Sequence, residues 1–432
     1  MNNTALRFGH SVNSRRFLNL ILIFNFFCLS AIYLVSEYFD EIRISSYLSF
    51  SSLDGPGAVP RKCLPDPLGV HYFGDFVSMI CHSQLPTPYN SGIGSNYFPF
   101  SYVIMSPFGI LMKMNLLLAI IIFLLISTML ITVPIYRSMK GVHSSERVLA
   151  ILISVIFTYP FISLVDRGNV QGFVTGFLVL GMYLYIQKDF NSAAVMISLA
   201  CALKGYPVVF LLLFVQNRQW RALAQGIFVG VLTTIAPLIF FQGGFLNNTK
   251  GLLTQLSEFG VGGEIYLRYN NSLKGLFLSF QEINVPIISE ITKPLIQHYT
   301  LVIATIAIVI TVILTFFKID LLEFSILASI FCCLLVDLTA GYVLTIFFVP
   351  VMVYLSGNYT ISHQRALIYM TGIAILFAPK GLPIKVATYW PRSDYSPSFN
   401  SIINPLVELS LLFVIIFPEL RRVVRMKRVK IA

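Results

Sequence analysis

Charged residues are the scarcest class in this sequence: Asp, Glu, Lys and Arg make up 11% of its 432 residues, against about a quarter in soluble domains. With 56% of residues hydrophobic, that scarcity excludes a water-soluble globular fold. The sequence also lacks a P-loop, a Cys-x-x-Cys pair, a metal-ligand cluster, an internal repeat and a low-complexity tract. Its histidines, His10, His71, His82, His143, His298 and His363, are scattered, so the usual motifs of soluble nucleotide- and metal-dependent enzymes are excluded. Acidic residues number 19 against 30 basic ones, for a net charge of +11. Much of the basic surplus lies in short segments flanking apolar blocks, where it reads as topology and not as nucleic-acid binding.

Cysteine is also sparse. Cys28, Cys201, Cys332 and Cys333 lie within apolar runs and read as packing residues. Cys63 and Cys81 share a loop, and their spacing leaves both a disulfide and two thiols open.

What the sequence does have is long apolar blocks, and about 20 such residues make a helix that crosses the hydrocarbon core. The first, Phe17 to Val35, is too long for a signal-peptide core and is followed by bulky residues where a cleavage site would need small ones. It reads as a retained helix. Arg7, Arg15 and Arg16 precede it, and Arg421, Arg422, Arg425, Lys427, Arg428 and Lys430 follow the last block. The positive-inside rule then places both ends in the cytoplasm and makes the number of crossings even.

By alternation, Ser36 to Tyr97 is a long loop on the outer side. Tyr97 to Met112, broken by Pro99 and Pro107, reads as a helix dipping in from that side, with Asn115 to Tyr136 returning. Val148 to Val165 and Val170 to Ile186 form a hairpin turning at Asp166, Arg167, Gly168 and Asn169. Asn191 to Val215 is interrupted at Lys204, Gly205, Tyr206 and Pro207, which fits two short helices meeting inside the membrane. Further spans are expected at Ala222 to Phe241, Thr300 to Phe317, Leu321 to Val336, Tyr342 to Leu355, Ala366 to Pro379 and Ile402 to Phe417, with outer loops at Gln242 to Tyr299 and Lys380 to Ser401. The expected fold is an all-α polytopic membrane protein of about 10–12 transmembrane helices. It forms one domain over residues 1–432, with its large outer loop at 36–97 and a basic cytoplasmic tail at 419–432.

An intramembrane lysine is costly enough that Lys204 stands as a functional candidate by itself. In the first loop, Asp40, Glu41, Asp54 and Asp66 read as solvated charge. Asp75 differs: it lies in Tyr72-Phe73-Gly74-Asp75-Phe76, an aromatic setting suited to a general base acting on a hydroxyl near a membrane entrance. Pro86-Thr87-Pro88-Tyr89 and Asn96-Tyr97-Phe98-Pro99-Phe100 follow. With Arg167-Gly168-Asn169-Val170, Ala202-Leu203-Lys204-Gly205-Tyr206-Pro207 and Asn271-Ser272-Leu273, this succession resembles glycosyltransferase family 87, the polyprenyl-phosphate-mannose-dependent mannosyltransferases of the GT-C superfamily. The resemblance runs from about Phe73 to Pro350. One departure stands out: Thr339-Ala340-Gly341-Tyr342 occupies the place of the family's Trp-x-His-Tyr element, which leaves the sugar and acceptor open.

The resemblance implies an inverting enzyme of the bacterial plasma membrane. It would move a hexose, mannose first, from a polyprenyl-phosphate donor to a glycolipid or glycan acceptor on the outer face. In that reading Asp75 is the base, Arg167, Lys204 and Arg268 meet the donor phosphate, and Tyr89, Tyr97, Asn169, Tyr206, Asn271 and Tyr342 line the substrate site. Its partners are membrane lipids and these two substrates, with no nucleic acid. No cofactor is implied; carboxylates of the first loop are the groups that could recruit Mg²⁺ or Mn²⁺. Lys274, Lys380 and Arg392 read as solvated loop charge or headgroup contacts. For Tyr89, Tyr97, Trp390 and Tyr395, an interfacial aromatic belt competes with sugar stacking. Two other classes stay open. A transporter or lipid-sugar flippase would also bury cations beside broken helices but usually shows paired repeats. An envelope polysaccharide polymerase usually carries its large outer loops later in the chain.

Overall fold

The computed structural model describes residues 3–38, 73–89, 97–261, 270–283, 286–336, 338–381 and 397–431. It is 83% helical, with eighteen α-helices and no strand among the described residues. The protein is an all-α polytopic membrane protein.

Five helices are long and apolar enough to cross a bilayer alone: α1 (Asn3–Tyr38), α4 (Leu116–Ser138), α10 (Trp220–Phe240), α14 (Tyr299–Phe316) and α18 (Phe399–Ile431). Their large apolar side chains, including Phe26, Phe27, Leu117, Phe228, Leu301 and Phe413, are exposed, as they must be where the neighbour is lipid. A sixth crossing is a bent pair. Here α5 (Ser144–Ile151) runs through a π turn at Leu152–Ile156 into α6 (Tyr159–Arg167), with a bend of 67°. The sequence predicts one helix over Val148 to Val165; Pro160, at the start of α6, explains the break.

The expected dipping helix and the remaining expected crossings are shorter pieces. These are α3 (Pro99–Met114), α7 (Gln171–Ile186), α8 (Phe190–Leu203), a 3-10 turn at Tyr206–Leu211 leading into α9 (Leu212–Gln216), α15 (Leu321–Leu334), a 3-10 turn at Gly341–Phe347 leading into α16 (Phe348–Ser356), and α17 (His363–Phe377). Several are almost wholly buried, α15 and α16 above all. Helices surrounded by protein can be short and broken, because neighbours and not lipid meet their freed polar groups.

Two of the three expected outer loops contain whole helices. The described part of 36–97 includes α2 (Gly74–Ser83), and 242–299 includes α11 (Gly244–Val261), α12 (Leu273–Glu282) and α13 (Pro286–Gln297). The amphipathic α2 buries Phe76, Val77, Met79 and Ile80. The Phe76 ring lies 5.0 Å from Phe123 of α4 and 6.1 Å from Phe108 of α3, and Phe173 of α7 completes the cluster 5.5 Å from Phe123. Aromatic pairs in this geometry contribute about 0.5–1.5 kcal/mol beyond burial, so α2 is a packed element of the bundle. Glycines let α7 approach α4 closely: a Cβ at Gly176 would come within 2.5 Å of Leu130 and one at Gly172 within 2.9 Å of Ser127.

Lys380 corrects one expectation. It is buried, and its ammonium donates to the carbonyls of Ile375 and Ala378 at the end of α17. A cation there satisfies the acceptors that a helix C-terminus leaves open and complements its dipole.

Candidate active site

Two helix ends meet to create the site. Phe73, in the left-handed region at φ 57°, turns the chain into α2, and its N–H donates to the Asp166 carbonyl at 2.9 Å. Gly168, at φ 59°, closes α6; a Cβ there would lie 2.7 Å from that of Phe76, so glycine is required by both conformation and contact. Asp75 therefore sits in the first turn of α2 and Arg167 in the last turn of α6, each at the helix end whose dipole favours its charge.

The two side chains pair. Arg167 Nη2 donates to Asp75 Oδ1 at 2.5 Å, with 12% and 15% of the side chains exposed. The carboxylate that Arg167 meets here lies 92 residues earlier in the chain. The second Asp75 oxygen, Oδ2, accepts from Asn169 Nδ2 at 2.6 Å, and the same amide nitrogen donates to the Tyr97 hydroxyl at 2.9 Å. Asn169 Oδ1 accepts from Lys204 Nζ at 3.2 Å and from the Gln171 N–H at 2.9 Å, starting α7 with an Asx turn. Asn169 is fully buried and links the Asp75 carboxylate to the Lys204 ammonium.

Lys204 reaches this point because α8 breaks. Pro207 has no N–H to give to the carbonyl four residues back, that of Leu203. Ser101 Oγ of α3 supplies the missing donor at 2.9 Å. Lys204 itself is extended, at φ −148° and ψ 128°, and swings its ammonium 5.2 Å from the Tyr342 ring centroid and 5.7 Å from that of Tyr97, both within cation–π range. Tyr206, next to the break, donates to Gln171 Oε1 at 2.5 Å.

Seven expected site residues thus form one group: Asp75, Tyr97, Arg167, Asn169, Lys204, Tyr206 and Tyr342. Three other expected residues remain. Arg268 lies outside the described residues, as do Cys63, Asp337, Trp390, Arg392 and Tyr395. Tyr89 is 1% exposed, packed edge-on against Tyr102, and donates to the Tyr97 carbonyl at 2.9 Å; it braces Tyr97 and offers no face for stacking a sugar. Asn271 bonds to the Thr339 carbonyl at 3.0 Å and accepts from Asn404 at 2.9 Å, which ties the start of α12 to the segment before the 341–347 turn. Sequence reading missed Ser101, Gln171, Thr175 and Thr345. Gln171 and Thr175 carried a signal, since two polar residues four apart in an apolar helix share a face.

Among residues so linked, one carboxylate faces two cations in a half-buried recess where polar groups are fixed before any substrate arrives. Such a recess can accept a proton from a hydroxyl and stabilise a forming phosphate anion. Fold and site together define a polytopic membrane protein that holds a carboxylate and two cations among short, broken helices. The sequence pattern of glycosyltransferase family 87 matches residues 96–340. That range is more than half of the chain, and the protein belongs to this family; it is a glycosyltransferase. The matched range contains Tyr97, Arg167, Asn169, Lys204 and Tyr206, begins after Asp75 and ends before Tyr342. A search of curated proteins gave no match.

Proposed function

We propose that the protein transfers a hexose, mannose first, from a polyprenyl-phosphate donor to a glycolipid or glycan at the outer leaflet of a bacterial plasma membrane. Asp75 takes the proton of the acceptor hydroxyl as that oxygen bonds to the anomeric carbon. The bond from this carbon to the donor phosphate breaks on the opposite face, so its electron pair leaves with the phosphate and the anomeric centre inverts. Arg167 and Lys204 receive the added negative charge, which cations in a water-poor recess stabilise far better than in water. Tyr97 and Tyr342 flank the lysine and offer ring faces to the sugar.

One observation carries this reading: the Asp75 carboxylate is bonded to Arg167 directly and to Lys204 through the Asn169 amide. A base and an anion-binding cation held together by fixed bonds suit group transfer. The outer-face placement rests on the basic residues flanking the first and last apolar blocks.

The test is transfer by the purified protein from radiolabelled polyprenyl-phosphate sugars to cell-envelope glycolipids. Transfer of one sugar with an inverted anomeric product supports the proposal. Movement of labelled lipid between leaflets without turnover of any donor would replace it with a flippase.

A further inference from the structure

Behind Lys204 a second series of polar side chains is buried among apolar helices. The Tyr206 hydroxyl donates to Gln171 Oε1 at 2.5 Å, and Gln171 Nε2 donates to Thr175 Oγ1 at 3.3 Å. The hydroxyls of Thr175 and Thr345 are 2.7 Å apart, and Thr345 donates to the Tyr342 carbonyl at 2.7 Å. Each hydroxyl has one proton, which fixes the direction. Thr345 gives its proton to Tyr342, so Thr175 is the donor between the two threonines and accepts from Gln171. Four bonds therefore run head to tail from Tyr206 to the backbone of Tyr342.

Gln171, Thr175 and Thr345 are fully buried. Valine or leucine would pack the same space without desolvating a polar group, so retaining three polar side chains here calls for a reason beyond burial. Their end points supply one. Tyr206 begins the 206–211 turn, directly after the Lys204 break, and Tyr342 lies in the 341–347 turn. Both elements are 3-10 turns, whose backbone bonds are poorer than those of an α-helix, so side-chain bonds weigh more in setting their separation. Lys204 lies between them, 5.2 Å from the Tyr342 ring centroid. The Gln171 backbone N–H also shares the Asn169 oxygen that accepts from Lys204.

We infer that Gln171, Thr175 and Thr345 are positioning residues. Their hydrogen-bonded series fixes the gap between the two 3-10 turns and so holds the Lys204 ammonium where it meets the donor phosphate. The inference rests on the reading of Lys204 as a phosphate-binding group. A series also has a signature: once one bond is cut, cutting the next costs little more, so losses do not multiply.

Thr175→Val and Thr345→Val each remove one hydroxyl and nearly keep the shape, whereas Thr175→Ser and Thr345→Ser keep the hydroxyl. Two measurements on the full chain in detergent decide the matter: the Kd for decaprenyl monophosphate, and the rate at which a small acylating reagent labels Lys204 without ligand, read by mass spectrometry. Each valine variant is expected to weaken binding by about five- to tenfold, the scale of one net hydrogen bond, and to speed Lys204 labelling. Both serine variants should restore wild-type behaviour, and the double valine variant should match the worse single one. Losses that multiply in the double variant, or valine variants that melt lower yet keep wild-type Kd and labelling rate, would overturn the inference. If the wild type binds no decaprenyl monophosphate, the proposed donor is wrong, and the labelling rates alone then decide the positioning role.

Discussion

Replacing Asp75 with asparagine changes little in volume, yet the surroundings make it a severe test. Arg167 donates to one carboxylate oxygen and Asn169 Nδ2 to the other. An amide has one oxygen and one N–H₂ group, so whichever way the substituted side chain turns, it faces one of those donors with a donor of its own. Asn169 cannot flip in response, because its oxygen is held by Lys204 and by the Gln171 N–H. One mismatched buried donor costs about 1–3 kcal/mol, so the variant should melt lower but stay folded. Loss of a general base costs about 10²- to 10⁴-fold in rate, or about 3–5 kcal/mol at 1.36 kcal/mol per tenfold. The larger effect is therefore kinetic. The assay pairs a melting curve in detergent with the initial rate of sugar transfer to glycolipid at saturating donor. A folded Asp75→Asn protein that turns over within about tenfold of wild type would refute the role of Asp75 as base.

Three further outcomes follow from the same geometry. Lys204→Met should lower kcat by about 10²–10³-fold, the scale for losing one charge-stabilising donor, and Lys204→Arg should recover only part, since a planar guanidinium does not fit a site shaped around a point charge between two rings; equal recovery by arginine in single-turnover assays would count against that cage. Ser101→Ala leaves the Leu203 carbonyl without its donor and should cost about 1–3 kcal/mol in thermal or denaturant unfolding; an unchanged midpoint would mean that another group satisfies that carbonyl. Gly168→Ala forces a left-handed residue against Phe76, at about 1–2 kcal/mol for the backbone alone, and should reduce stability and transfer together, because the same contact seats Asp75; full activity at wild-type stability would show that α2 docks by other means.

Much of the architecture was legible because the membrane writes plainly in sequence. A span needs a continuous apolar block, so α4, α10, α14 and α18 fall close to where the blocks predicted them. The break at Lys204-Gly205 was equally plain, since Pro207 forbids the bond that would continue α8. Less legible were the helices inside loops. The α2 segment is short and amphipathic, and its burial comes from Phe108, Phe123 and Phe173 on other helices, which no local pattern reveals. Tyr89 shows the same limit: an aromatic in a loop reads alike whether it faces solvent or, as here, packs against Tyr102 and Phe241.

By itself the sequence determined the all-α membrane class, the family and the residue types able to perform the chemistry, because hydropathy, charge and proline act within a few residues of where they stand. Only the tertiary structure decided which cation meets which carboxylate. Asp75 and Arg167 are 92 residues apart, and their pairing depends on the end of α6 closing against the start of α2, a meeting set by Gly168 and the Phe76 cluster. Hydrogen bonds act over about 3 Å, so the amide of Asn169, fully buried between the Asp75 carboxylate and the lysine, gains both partners only when the fold brings them to it.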